Sequence, residues 1–314
     1  MGKRFLGIGE CMVELAPEGP GLWRQGFAGD VFNALWYARA AVGEDDAVGF
    51  HTGLGRDALS AEFEEFATRH GIELGDSPRF DERTLGLYAI RLRDGERSFS
   101  YWRDTSAARR LASDRARLER RVAEADLVYL SGISIAILPP EDRDGLYAVL
   151  ATARSRCTVA FDPNVRPRLW SDAETMREEM NRFAGVARIV LPGLEDEGLL
   201  TDATADGTSD VTAVPTAETV ARRYLALGAE RVIVKDGGRR VTVRGDVRLD
   251  LPLEPIGTPL DTTGAGDAFA GTCLAELLAG EPVEVAIARA HACAAVVVMT
   301  RGALCPHGRL PRHG

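Results

Sequence analysis

Apolar residues along the chain recur with two periods. DLVYLSG (126–132) is a short apolar run followed by a helical stretch from Pro140 to Arg154. TVAFD (158–162) precedes a helix after Ser171, RIVLP (188–192) precedes a short acidic helix, and RVIVKDG (231–237) follows a helix through Ala221, Tyr224 and Leu225. The N-terminal part begins in the same way. RFLGIG (4–9) reads as a buried strand and VFNALWYARAAV (31–42) as a helix; AVGFHTG (47–53) reads as a strand, with Leu59, Phe63 and Phe66 on the inner face of the next helix. Apolar strands alternating with amphipathic helices predict an α/β fold of three layers, with a mostly parallel central sheet covered on both faces. No internal repeat interrupts the series.

One segment breaks this rhythm. TLGLYAIRLR (84–93) and ERSFSYWRD (96–104) alternate strictly around an Asp94-Gly95 pair, the pattern of a β-hairpin. It is expected to form a small β-sheet lid on the main sheet. The lid is drawn from about 10–30 and 80–106 within a single domain spanning 1–314. Alternation puts Tyr101 and Arg103 on one face and Trp102 on the other, where Trp102 reads as packing. An aromatic and a guanidinium on one face suit an anionic ligand. Tyr88, on the partner strand, either joins that face or pairs with Tyr101 only to stabilise the hairpin; the strand register decides. A two-stranded flap is marginal alone, so lid-to-lid association into a homo-oligomer is expected. Residues 201–216 (TDATADGTSDVTAVPT) are polar and aperiodic and read as a mobile surface loop.

Composition narrows the function classes. With 314 residues, 45% apolar and 27% charged, the chain has the make-up of an ordinary globular protein and needs no disulfide staples. A net charge of −9 argues against a nucleic-acid surface, though local arginines can still receive an anionic small molecule. The five cysteines are scattered, with no CxxC pair. They read as small core residues of a protein in a reducing cytoplasm. The N-terminus is too interrupted for a signal peptide, and no apolar run reaches the length of a membrane span.

The chemistry concentrates in LDTTGAGDAFAGTCLAELLAG (260–280). Asp267 to Ala279 reads as a helix with Phe269, Leu274, Leu277 and Leu278 inward, ended by Gly280. Gly264, Ala265 and Gly266 then form the turn at its start. Free backbone N–H groups and the positive end of the helix dipole make an anion cradle there. Asp267 either complements the dipole or accepts the proton of a hydroxyl attacking a phosphoryl group in that cradle. No GxxxxGK[ST] loop occurs, and GIGECM (7–12) lacks the third small residue of a dinucleotide fingerprint.

DTTGAGD resembles the C-terminal signature of the ribokinase-like (PfkB) sugar kinases. AGDVFNALWYARA (28–40) is similar to the family's first signature, with Gly29 and Asn33 in place; Asp30 and Val31 depart from its common form. GLGRDALSAEF (53–63) and RGA (301–303) fit as well, so the resemblance spans essentially the whole chain. Within the family, GECMVEL (9–15), LYAIRLRDGERSFSYWRD (87–104), YLSGISIAIL (129–138) and FDPNVRPRLW (161–170) look most like 2-keto-3-deoxygluconate kinases. The resemblance implies a ribokinase-like fold and ATP-dependent phosphorylation of a sugar acid.

A ketoaldonate has a carboxylate at one end and the accepting hydroxyl at the other. Arg103 and Arg166 are candidates to grip the carboxylate with paired hydrogen bonds, a need that a neutral sugar lacks. Tyr88 and Tyr101 are candidate hydroxyl donors to the same end. The resemblance implies Gly29, Tyr88, Tyr101, Arg103 and Arg166 around the sugar acid, with Asp30 and Asn33 on its hydroxyls; Asp30 also reads as a helix N-cap. On the nucleotide side it implies Asn164, Lys235, Gly237, Gly266 and His291. Lys235 reads equally as a solvated loop residue, and His291 as a structural histidine. Glu197 matches the acid of the family's N-x-x-E motif, expected to organise Mg²⁺ through water, but Leu194 stands where the motif has Asn. Asp261 either anchors its turn or helps to bind a monovalent cation. The expected ligands are therefore ATP, Mg²⁺, a sugar acid and a possible monovalent cation. Rival readings are a neutral-ketose or nucleoside kinase, a non-catalytic sugar-acid sensor and an NAD-dependent oxidoreductase.

Overall fold

Strand Arg4–Ile8 lies near the middle of the main sheet, and its side chains show why the strands are apolar throughout. Phe5 points into one core and Leu6 and Ile8 into another. The same division repeats in Leu127–Ser131, where Leu127 and Tyr129 face the first core and Val128 and Leu130 the second. A strand with helices on both sides has no polar face to offer. The computed structural model describes residues 2–93, 96–201 and 215–311. The Asp94-Gly95 turn and nearly all of the predicted 201–216 loop lie outside the described residues.

Among the described residues the main sheet has nine strands. In spatial order they are Leu249–Pro252, Arg240–Gly245, Arg231–Asp236, Ile189–Val190, Thr158–Asp162, Leu127–Ser131, Arg4–Ile8, Ala47–His51 and Ile72–Glu73. The first three pair antiparallel, Leu249–Pro252 with Arg240–Gly245 and Arg240–Gly245 with Arg231–Asp236, and form one edge; the remaining pairings are parallel. The antiparallel edge was not foreseen, and RIVLP contracts to a two-residue strand. Helices Asp30–Ala41, Ala58–Arg69, Ala265–Ala279 and Val283–Val297 cover one face around the first core. Helices Arg115–Ala123, Pro140–Ala153, Ala173–Val186 and Ala217–Leu227 cover the other. This is the three-layer α/β/α architecture that the periodicity predicted.

The lid segments form a separate four-stranded sheet, in the order Leu22–Ala28, Met12–Gly19, Gly86–Arg93 and Glu96–Trp102. The hairpin strands pair antiparallel, with Tyr88 directly opposite Tyr101. Strand Met12–Gly19 joins the hairpin in parallel, through Glu14 opposite Tyr88, and Leu22–Ala28 on its other side places Gly26 opposite Glu14. Gly26, Glu14, Tyr88 and Tyr101 thus form one row on one face. Trp102 falls on the opposite face, as alternation required. It does not pack there: its side chain is 61% exposed on the edge strand, while Phe27 in the same row packs against Phe63 and Phe66 of helix Ala58–Arg69.

Candidate active site

The small sheet and the C-terminal ends of the parallel strands enclose a cleft of about 940 Å³. Its floor is the start of helix Ala265–Ala279. Gly264 caps that helix with φ 79°, a conformation that glycine adopts without strain. A Cβ at Gly264 would also stand only 2.8 Å from the Ala303 carbonyl oxygen. The Ala265 N–H donates to the Thr262 carbonyl at 3.3 Å, while the next N–H groups of the helix start have no partner within it; Gly264, Ala265 and Gly266 line the cleft where the anion cradle was expected.

Asp267 stands in the first turn, beside the cradle. Asn33 Nδ2 donates to its Oδ2 at 2.8 Å, while Asn33 Oδ1 accepts from the Gly29 N–H at 3.3 Å. Gly29 makes this approach possible: a Cβ there would lie 2.1 Å from the Glu10 carbonyl oxygen. Asp267 titrates at about 7. Desolvation on the cleft floor is the largest cause, followed by the Asp30 charge; the Asn33 hydrogen bond opposes it, Asp162 adds to it and Lys235 opposes it.

A hydrogen-bonded chain runs from there to the opposite wall. Asn164 Nδ2 donates to Asp30 Oδ2 at 2.7 Å, and the Asn164 N–H donates to Asp162 Oδ1 at 3.1 Å. Asn164 is held at φ 34°, an uncommon conformation for a residue with a side chain. Lys235 Nζ meets Asp162 Oδ2 at 2.5 Å, so this lysine is an ion-paired cleft residue and not a solvated one. Asp30 begins its helix without making a side-chain cap, and the N-cap is Gly29. Gly237 and His291 also line the cleft, with His291 Nε2 bonded to the Glu254 carbonyl at 2.9 Å.

The substrate-side candidates divide. Tyr88, Tyr101 and Arg166 line the cleft. Arg166 Nη1 lies 3.3 Å from Asp196 Oδ2 and donates to the Val165 carbonyl at 2.7 Å. Arg103 does not line the cleft: it is nearly buried, its guanidinium donates to Glu10, and Ser106 Oγ donates to the same carboxylate at 2.6 Å. The Arg103 guanidinium lies 5.9 Å from the centre of the Tyr101 ring, which is its link to the cleft. Tyr88 does not offer a free proton either, since its hydroxyl donates to Glu14.

One acidic candidate, Glu197, is corrected, and a second, Asp261, meets the turn-anchoring reading. Glu197 is fully buried away from the cleft, where Tyr224 Oη donates to Oε1 at 2.7 Å and Arg223 Nη2 lies 3.0 Å from Oε2. Burial raises its pKa. Its place at the cleft is taken by the preceding residue, Asp196, whose pKa is raised by burial and by Asp162 and lowered by Arg166. Asp261 anchors its turn: its oxygens accept from the Thr263 and Gly302 N–H groups, each at 2.9 Å, joining the two loops beside the cradle. Sequence reasoning missed Asp162 and Asp196 at the cleft, although FDPN and the LEDE string displayed both at strand ends.

The cleft carboxylates suit Mg²⁺. Asp162 and Asp196 offer oxygen donors on one wall, and Mg²⁺ is commonly held by one or two carboxylates together with substrate phosphates. Among the described residues no helix is long and apolar enough to cross a membrane.

Residues 8–306 match the pfkB family of carbohydrate kinases. The chain is 35% identical to a 2-dehydro-3-deoxygluconokinase of Dickeya dadantii, over 98% of this chain and 99% of that one. It is 34% identical to a 2-dehydro-3-deoxygluconokinase of Escherichia coli, over 99% and 100%. Its fold superposes on a ribokinase II of E. coli solved in complex with ATP and Mg²⁺, at TM-score 0.80 and 21% identity, over 97% of this chain and 95% of that one. An anion cradle, an adjoining carboxylate and a full-length family match lead to one conclusion: the chain belongs to the pfkB family of carbohydrate kinases.

Proposed function

We propose that the protein is an ATP-dependent kinase that phosphorylates 2-keto-3-deoxygluconate at its 6-hydroxyl, giving 2-keto-3-deoxy-6-phosphogluconate. The observation behind the chemistry is Asp267, held by Asn33 beside an open helix N-terminus and titrating near 7. The substrate reading is supported by the near-full-length kinship with 2-dehydro-3-deoxygluconokinases and by the Tyr88, Tyr101 and Arg166 wall.

In this reading Asp267 accepts the proton of the 6-hydroxyl as its oxygen attacks the γ-phosphorus; the bond from that phosphorus to the β,γ-bridging oxygen breaks and ADP leaves with the bridging oxygen. The Gly264–Gly266 amides stabilise charge on the transferring phosphoryl group, and Lys235 adds a cation on the nucleotide side. Asp30 and Asn33 orient the sugar. The small sheet closes the cleft and keeps water from competing as acceptor. Arg166 and Tyr101 hold the carboxylate end, with Arg103 recruited when substrate displaces its contact with Glu10. Mg²⁺ bound between the phosphates and Asp162 and Asp196 would neutralise phosphate charge. A monovalent cation at Asp261 would settle the loops beside the cradle, and a rate increase with K⁺ over tetramethylammonium checks it. The reading places the enzyme in the cytoplasm.

A coupled assay with ATP and Mg²⁺ against a panel of sugar acids and neutral sugars tests the substrate. Ketodeoxygluconate should exceed fructose or ribose in kcat/KM by about 100-fold or more, from one well-placed ionic anchor. Equal turnover of a neutral ketose would overturn the assignment. Asp267→Asn should lower kcat about 10³-fold with substrate binding largely kept.

A further inference from the structure

The row Gly26, Glu14, Tyr88, Tyr101 contains a hydrogen bond that the proposed chemistry leaves unexplained. Tyr88 lines the cleft, and its hydroxyl donates to Glu14, a carboxylate only 5% exposed. A phenol has one proton. Given to Glu14, it leaves only lone pairs on Tyr88 Oη for whatever occupies the cleft. Burial, then the Glu14 charge and the hydrogen bond to it, push the ionisation of Tyr88 far above the usual tyrosine range, so the proton stays. Gly26 leaves room beside the carboxylate: Glu14 Oε1 and Arg24 Nη1 each lie 3.9 Å from where a Gly26 Cβ would stand. Arg24 therefore approaches the same pocket from the edge strand.

We infer that Glu14 makes Tyr88 an acceptor-only contact, which selects a non-reacting hydroxyl of the substrate and not its carboxylate or keto oxygen. The inference rests on the sugar-acid reading above. A carboxylate or carbonyl oxygen at Tyr88 would meet a lone pair with a buried negative charge behind it. A hydroxyl would donate to Oη and extend the chain to Glu14, each bond polarising the next. The position agrees. The Met12–Ala28 row lies between this row and the Gly29–Asp30 corner, and rows on one face are about 7 Å apart along a strand. Tyr88 thus stands away from the Gly29–Asp30 corner, on the side remote from the reacting 6-hydroxyl of an acid whose other hydroxyls are on C4 and C5. The carboxylate is left to Tyr101 and the arginines.

The test compares kcat/KM for ketodeoxygluconate and its 4-deoxy and 5-deoxy analogues in the wild type, Tyr88→Phe and Glu14→Gln. The wild type should reject one deoxy analogue by about 100-fold, because a buried acceptor would be left unpaired. Tyr88→Phe should lower kcat/KM for the full substrate about 10–100-fold, mainly through KM, and leave that analogue within about twofold. Glu14→Gln keeps the shape and can turn an amide N–H to Tyr88 Oη, which leaves the phenol proton able to donate, and should weaken the discrimination about tenfold. Equal losses on substrate and both analogues in Tyr88→Phe would indicate a structural role and overturn the inference. So would a Tyr88→Phe loss that spares a C1-carboxamide analogue, since the contact would then be to the carboxylate. Failure of the wild type to phosphorylate ketodeoxygluconate would sink the sugar-acid reading instead, which separates the two outcomes.

Discussion

Asp267 shows in one side chain how a site opposes stability. Its pKa is raised from 3.8 to about 7, so the folded protein binds this proton more tightly than the unfolded chain does. The associated stability is present below the unfolded pKa and is lost as pH rises through about 7. Asp267→Asn should therefore raise the melting temperature at pH 8 by a few degrees, on the scale of about 1 kcal/mol after screening by cleft water, and change it little at pH 4. A lower melting temperature at pH 8 would contradict the desolvation account. The same balance sets the rate. In the proposed mechanism Asp267 works as a base only when deprotonated, so kcat/KM should rise with pH to a plateau above about 7. Asp30→Asn removes the like charge that helps to hold the proton, and should move this rising limb to lower pH whatever it does to the plateau.

At the scale of elements, the helix of residues 265–279 was legible because glycines, an acid and an apolar stripe follow each other in the order that a helix start requires. The hairpin was legible from strict alternation, and alternation correctly separated Tyr101 from Trp102. Register was not legible: only pairing across strands shows that Tyr88, Glu14 and Tyr101 share a row. Nor could a sequence show that Arg103 and Tyr88 find carboxylates, since Glu10 and Glu14 come from a strand more than seventy residues earlier. Glu197 was misplaced for a simpler reason. In a helix, adjacent residues point about 100° apart, so one of Asp196 and Glu197 meets the cleft while the other meets the core. Gly29 tests the join between elements. A Cβ there must move the Glu10 carbonyl or the helix start, so Gly29→Ala should cut kcat/KM at least about tenfold through misplacement of Asn33. Unchanged kinetics in that variant would show that the join is loose.

At the scale of the molecule, the outer face of the small sheet leaves indoles in water. Trp102 is 61% and Trp23 42% exposed. We propose that this face pairs with a second copy of the chain. Light scattering should give a mass near twice 33.9 kDa at micromolar concentration, and Trp102→Ser should shift it toward the monomer. A wild type that stays monomeric at high concentration would remove the idea.

The hydrogen bond from Asn33 to Asp267 spans 234 positions of sequence, and Tyr37 and Trp36 donate to the carbonyls of Ala303 and Cys305. Helix Asp30–Ala41, with eight successive buried residues from Val31 to Ala38, leaves the ribosome long before the segment that covers it. During synthesis that apolar surface waits uncovered, a natural station for a chaperone. The carboxylate proposed as the base is made 234 positions after the asparagine that holds it, so the pair cannot form until the late helix Ala265–Ala279 has been synthesised.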